Sequence, residues 1–127
     1  MNVSNPKEIE LLRQSGRILA EALSLAAAKV APGVSAYELD LIAEAEIKSK
    51  GGRPSFKNYK TNYNKSGFPG SLCVSVNDEV VHGIPTKDKI LVEGDIVGLD
   101  LGVEYKGFFT DAAITVAVGK IDPKLQI

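Results

Sequence analysis

Two aspartates, Asp100 and Asp111, are the residues whose type and spacing best suit chemistry. Ten residues separate them. Apolar neighbours flank both: Ile96, Val97 and Leu99 before the first, Ala112, Ala113 and Ile114 after the second. Residues 95–105 and 108–118 read as two β-strands around Lys106-Gly107, so the acids meet across a hairpin. A loop at Tyr105-Lys106 sets Glu104 against Gly107 and Asp100 directly opposite Asp111, with Cβ atoms about 5 Å apart on one face. Two carboxylates this close on a half-buried sheet repel strongly unless something neutralises them. A bound cation, a shared proton and a salt bridge to Lys or Arg are each an answer. A fully solvated strand face would need none, and a slip of register would change the pairing.

The single histidine, His82, stands at an expected strand end before Gly83-Ile84-Pro85. A lone histidine is more often a surface or hydrogen-bonded residue than a catalyst, but beside such a turn it can be held at a cleft edge. Cys73, the one cysteine, reads as a small buried strand residue rather than a reactive thiol, which leaves little support for a Cys-His hydrolase. Phe56, Tyr59 and Phe68 fall in a stretch without period. There they either line an apolar pocket or cover the core.

The elements that must position these residues are legible in outline. Asn5-Pro6-Lys7-Glu8 starts a helix, with Asn5 as cap, Pro6 in the first turn and Glu8 able to close a capping box. Ile9, Leu12, Gly16, Leu19, Leu23, Ala26 and Val30 then recur in steps of three and four, one narrow apolar stripe that Pro32-Gly33 ends. Ser35-Ala36-Tyr37-Glu38 is a second capping box. Leu39, Ile42, Ala43 and Ile47 give the next apolar face, and Gly51-Gly52 stops it. A helical hairpin follows. Residues 53–70 are a loop, most mobile over 60–67. Residues 71–76 alternate as a strand, Asn77-Asp78-Glu79 turns the chain, and Val80-Val81 begin a return strand. Asp122-Pro123 opens a further helix that only four residues follow, which predicts a chain that continues elsewhere.

The totals set limits. The chain has 127 residues, one domain's worth, and 44% of them are hydrophobic. Net charge is -1 with no basic block, which argues against direct nucleic-acid binding and against an anionic membrane. A single cysteine fits a reducing cytoplasm, and no apolar run approaches the roughly 20 residues of a membrane span.

Two stretches resemble type I methionine aminopeptidases closely. One runs from Ser71-Leu72-Cys73-Val74-Ser75-Val76-Asn77-Asp78-Glu79 through Val80-Val81-His82-Gly83-Ile84-Pro85. The other is Gly94-Asp95-Ile96-Val97-Gly98-Leu99-Asp100-Leu101-Gly102, continuing through Gly107-Phe108-Phe109-Thr110-Asp111-Ala112-Ala113 to Thr115 and Val118-Gly119. The start, with Asn5-Pro6-Lys7-Glu8-Ile9-Glu10 and Ser15-Gly16-Arg17, fits as well. The Asp-to-Asp spacing is shared with proline-directed peptidases and creatinase-like enzymes; the 77–85 run points to the methionine-specific branch.

The resemblance implies an α+β fold, half of a pita-bread fold, in which a helical hairpin packs on an antiparallel sheet and residues 1–127 form the amino-terminal half of the domain. It implies two divalent metal ions (Co, Mn, Fe or Zn), with Asp100 chelating one and Asp111 bridging both. His82 would hydrogen-bond the substrate's amide nitrogen, and Phe56, Tyr59, Phe68 and Cys73 would line the methionine pocket. The reaction would be removal of the initiator methionine from nascent chains, with those Met peptides and the ribosome as partners. The family's His ligand, two Glu ligands and second catalytic His come from the other half. Residues 60–67 look like an insertion before the pocket. A second chain, or a second copy in a homodimer with an altered metal site, is an alternative way to complete the site, and a non-catalytic peptide- or ribosome-binding module is the alternative from a different class.

Overall fold

A computed structural model describes residues 3–126. Helix α1 spans Pro6–Ala28 and α2 spans Ala36–Ser49. Asn5 caps α1 by accepting the Glu8 N–H at 2.9 Å. Glu8 does not complete the expected box, since its carboxylate accepts from the Ser4 N–H at 3.4 Å instead. At α2 the box closes: Ser35 Oγ accepts the Glu38 N–H at 3.1 Å, and the Glu38 carboxylate accepts the Ser35 N–H at 2.8 Å.

The buried face of α1 is wider than the predicted stripe. Ser15, Ile18 and Ala22 join Leu19, Leu23 and Ala26, whereas Ile9 stays exposed. The cause is that α1 packs on α2 along one flank and on the sheet along the other. Helix α2 buries Leu39, Ala43 and Ile47, as its period predicts, and also Asp40 and Glu44. No helix among the described residues is long and apolar enough to cross a membrane.

The strands are β1 (Arg53–Pro54), β2 (Leu72–Val76), β3 (Ile96–Tyr105) and β4 (Phe108–Ala117), and every pairing is antiparallel. β3 is the hub. β1 and β2 share one of its edges, and β4 takes the other. Alternate residues of β3, Val97, Leu99, Leu101 and Val103, are fully buried beneath the helices with Leu72, Val74, Leu91 and Val118. Each such side chain contributes about 1.5–3 kcal/mol of hydrophobic stabilisation, so this face fixes which way β3 is turned. The opposite face presents Gly98, Asp100, Gly102 and Glu104.

The β3–β4 loop is Lys106-Gly107, not Tyr105-Lys106. Both residues have positive φ, 49° and 86°. That is the conformation of the mirror-image two-residue turns whose twist matches a hairpin, and it leaves Tyr105 paired with Phe108 inside the ladder. Every pairing shifts by two residues from the one expected. Asp111 lies opposite Gly102, and Asp100 lies opposite Ala113. A shift of two keeps both acids on one face.

The return strand expected at Val80-Val81 does not form; both valines are exposed. Gly83 reaches the β2 edge, accepting the Val74 N–H at 2.9 Å, but the next pair in that register does not form. The Val76 N–H and carbonyl that Val81 would use bond the Glu79 carboxylate and the Glu79 N–H at 3.1 Å each, and Lys89 Nζ takes the Val74 carbonyl at 3.1 Å. At the far end Asp122 caps a single 3₁₀ turn, Pro123–Leu125.

A buried polar bracket ties α2 to β2. Asp40 Oδ1 accepts the Ser71 and Leu72 N–H groups at 2.6 and 2.8 Å. Glu44 accepts from Ser71 Oγ at 2.7 Å, from Lys57 Nζ at 2.8 Å and from Lys48 Nζ. Burial pushes the Asp40 carboxyl upward. Burial alone would do the same to Glu44, but the hydrogen bonds from Lys48, Lys57 and Ser71 outweigh it and hold that carboxyl at about 2.

A folded carboxyl held below its unfolded value stabilises fully above about pH 4.5 and loses that contribution as pH falls toward about 2. Glu44→Gln is therefore expected to lower the urea midpoint at neutral pH and to flatten the loss of stability between those pH values. Urea melts of both proteins across that range check it; parallel pH curves would show that Glu44 is not held as described.

Candidate functional site

The face of the sheet turned away from the helices forms the floor of the site. On it Cys73 of β2 lies opposite Asp100 of β3, and Ala113 of β4 flanks Asp100 on the other side. Asp111 stands one diagonal step away, opposite Gly102. Diagonal neighbours across a ladder are about 7–8 Å apart at the backbone, within reach of two carboxylates leaning together.

Asp100 carries the strongest local signal. Its Oδ1 is buried and has no hydrogen-bond partner, and it is the one such side-chain atom among the described residues. Burial drives the Asp100 carboxyl above its ordinary range; the charge of Asp111 adds to the rise, and His82 opposes it. A shielded carboxylate oxygen without a donor costs free energy until a cation or a proton satisfies it. Paired carboxylates are hard oxygen donors suited to a divalent ion. The two acids fit such an ion as part of a coordination shell. Among the described residues no group of three or more His, Cys, Asp or Glu gathers to complete one.

A cleft of about 550 Å³ opens beside the acids. Its walls include Phe56, Tyr59, Phe68, Cys73 and His82, and both Asp100 and Asp111 face it. The structure thus brings every residue singled out from the sequence to one place, although they come from a loop, separate strands and a turn. His82 and Asp100 also border a smaller hollow of about 230 Å³, with Ser75 and Ile114.

Ser55, Thr61, Asn64, Ile84 and Phe109 also line the cleft, and the sequence reading does not single them out. Phe109 is legible, since it lies two residues before Asp111 on the same strand and so shares its face. Thr61 and Asn64 lie in the segment expected to be most mobile. It is folded on itself: Thr61 Oγ1 accepts the Asn64 N–H at 2.9 Å, and Asn64 Oδ1 accepts from Ser66 Oγ at 2.8 Å and from the Gly67 N–H at 3.2 Å. No periodicity in the sequence points to those turns.

The position of Phe56 follows from the β1–β3 pairing and from a glycine. Arg53 and Pro54 pair with Glu104 and Val103, and the Ser55 N–H donates to the Gly102 carbonyl at 3.1 Å. A Cβ at Gly102 would fall 2.3 Å from Ser55 Oγ and 2.5 Å from the Phe56 ring. The ring lies where that side chain would be.

Cys73 is buried, and its thiol is pushed up to about 12, first by burial and then by the charges of Asp100 and Asp111. A buried thiol so held is neutral at physiological pH, which weighs against the Cys-His hydrolase reading.

Known proteins match this chain along almost its whole length. A methionine aminopeptidase from Helicobacter pylori is 49% identical over 98% of the chain, and one from Aquifex aeolicus is 45% identical over 94%. Each match takes in 46% of the relative, so the chain spans about half the length of these proteins. The crystal structure of a methionine aminopeptidase from Thermotoga maritima superposes with a TM-score of 0.89 at 37% identity, over 98% of this chain and 47% of that one. The α+β architecture of helices packed on an antiparallel sheet is that of half a pita-bread fold. The sequence profile of metallopeptidase family M24 covers residues 10–127, and the chain belongs to that family.

Proposed function

We propose that residues 1–127 supply one half of a metal-dependent methionine aminopeptidase site, which removes the initiator methionine from nascent chains. The observation that carries this reading is the buried, unpartnered oxygen of Asp100, a residue that lines the same cleft as Asp111 and His82. Family membership and the names of the relatives support it. Asp100 would hold one divalent ion, and Asp111 would bridge a pair. When bound, such ions supply an activated water and polarise the scissile carbonyl; two carboxylates do not choose among Co, Mn, Fe and Zn.

The remaining roles belong to the chain's own residues. Phe56, Tyr59, Phe68 and Cys73 form an apolar recess that takes the methionine side chain and excludes water from it. A neutral Cys73 suits that task, since a thiolate beside two carboxylates would add a third negative charge. His82, which lines the same cleft, would hydrogen-bond the amide nitrogen of the scissile bond. The missing metal ligands come from a further stretch of chain or a second chain. Substrates are then peptides with an amino-terminal methionine, met at the ribosome or just after it in the cytoplasm.

Calorimetric titration with Mn²⁺ should show weak binding to the 127-residue chain. Asp100→Asn and Asp111→Asn should each weaken it by at least about tenfold, as expected when one of two charged oxygen ligands is lost; unchanged affinity in both would refute the metal assignment. The same chain, verified as a monomer, should release little or no methionine from Met-Ala-Ser, and robust turnover would overturn the half-site reading. In the complete enzyme Gly102→Ala should displace the Phe56 ring and raise KM for methionyl peptides more than it lowers kcat, which steady-state kinetics on a methionyl peptide series can decide.

A further inference from the structure

His82 sits on backbone that the core does not hold. Val80 and Val81 before it are 88% and 61% exposed, and Ile84 after it is 47% exposed. His82 itself is exposed and has φ of 57°, the left-handed region that is uncommon for a residue with a Cβ, although histidine enters it more readily than most. In so exposed a segment, something nearby must hold it.

The neighbouring hydrogen bonds show what does. In a regular antiparallel extension of β2, the Val74 carbonyl would accept the Gly83 N–H. Lys89 Nζ occupies that carbonyl at 3.1 Å and is itself held by Glu79 at 2.9 Å. The displaced Gly83 N–H donates instead to Ser75 Oγ at 3.0 Å, in a buried setting. The Gly83 carbonyl still accepts the Val74 N–H at 2.9 Å. Gly83 lies so flat on the strand that a Cβ there would come within 2.1 Å of the Val74 oxygen. The residue after His82 is therefore fastened on both its backbone groups, one of them by a side chain. Ser75 is 7% exposed and has no role in the cleft chemistry described above.

We propose that Ser75 is a positioning residue for His82: by accepting the Gly83 N–H, its hydroxyl fixes the left-handed backbone that keeps the imidazole beside Asp100. This rests on the reading of His82 given under the proposed function. Without the hydroxyl the Gly83 amide is buried and unpaired. The cheapest relief is for residues 80–84 to lift from the strand, carrying the ring away from the acids.

The test uses the lone histidine as its own probe, because one ring gives one set of imidazole signals. In Ser75→Ala, exchange of the Gly83 amide should quicken by at least about tenfold, since a buried amide has lost its acceptor. With Mn²⁺ added at matched occupancy, paramagnetic broadening of the His82 ring signals should fall at least severalfold from wild type while Mn²⁺ affinity stays the same, because broadening drops steeply with distance. Ser75→Thr should restore both readouts. It keeps the hydroxyl, and its added methyl has room over Gly98, the residue opposite, which carries no side chain and where even an added Cβ would stand 3.7 Å from the nearest atom of Ser75. Broadening and exchange unchanged in Ser75→Ala, or a threonine variant that behaves like the alanine one, would overturn the proposal. If wild type binds no Mn²⁺, the metal reading falls, and Gly83 exchange together with nuclear Overhauser contacts from the His82 ring to the sheet still decides the role of Ser75.

Discussion

Everything at the site depends on the two-residue period of β3. One set of its side chains, Val97, Leu99, Leu101 and Val103, is buried completely against the helices. The other set must then face outward, and it contains Asp100. Apolar burial thus holds a carboxylate in a partly shielded position that its own solvation would oppose. The two-residue turn at Lys106-Gly107 carries the same constraint across to β4, where it sets Asp111 on the matching face. Slipping the hairpin by one residue would turn Asp111 toward the helices.

Around that sheet the cleft is built from pieces that cannot hold themselves. The aromatic wall comes from a loop, and its shape depends on a backbone amide of Ser55, the missing side chain of Gly102 and the salt bridge from Lys57 to Glu44. Asp40 and Glu44 break the apolar rule of a packing helix, yet they satisfy two amides and a hydroxyl at the start of β2 that would otherwise be buried without partners. The floor is set by hydrophobic packing, and the walls are set by polar anchoring.

What the sequence reveals divides along the same line. Periodicity locates both helices, the strand at 71–76 and the β3–β4 hairpin, because burial writes a regular spacing into the chain. It puts both acids on one face even with the turn set one residue early, since a shift of two in the pairing preserves the alternation. It does not reveal the bracket from Asp40 and Glu44, the broader face of α1 or the folding of residues 60–67. Those depend on partners distant in sequence or on hydrogen bonds between side chain and backbone, which leave no period. The expected strand at Val80-Val81 fails for a related reason. Two β-branched residues favour a strand, but the turn through Glu79 has claimed the Val76 amide and carbonyl that Val81 would pair with.

The central position of β3 also governs the order in which the chain can acquire structure. The helices are complete by residue 49 and β2 reaches α2 by residue 76, but β3 and β4, the strands that pack on α1, begin only at residue 96. During synthesis the surfaces of Leu19 and Leu23 on α1 therefore emerge well before their cover exists. The nascent hairpin must be kept from sticking to itself or to other chains until nearly the whole of this segment has left the ribosome.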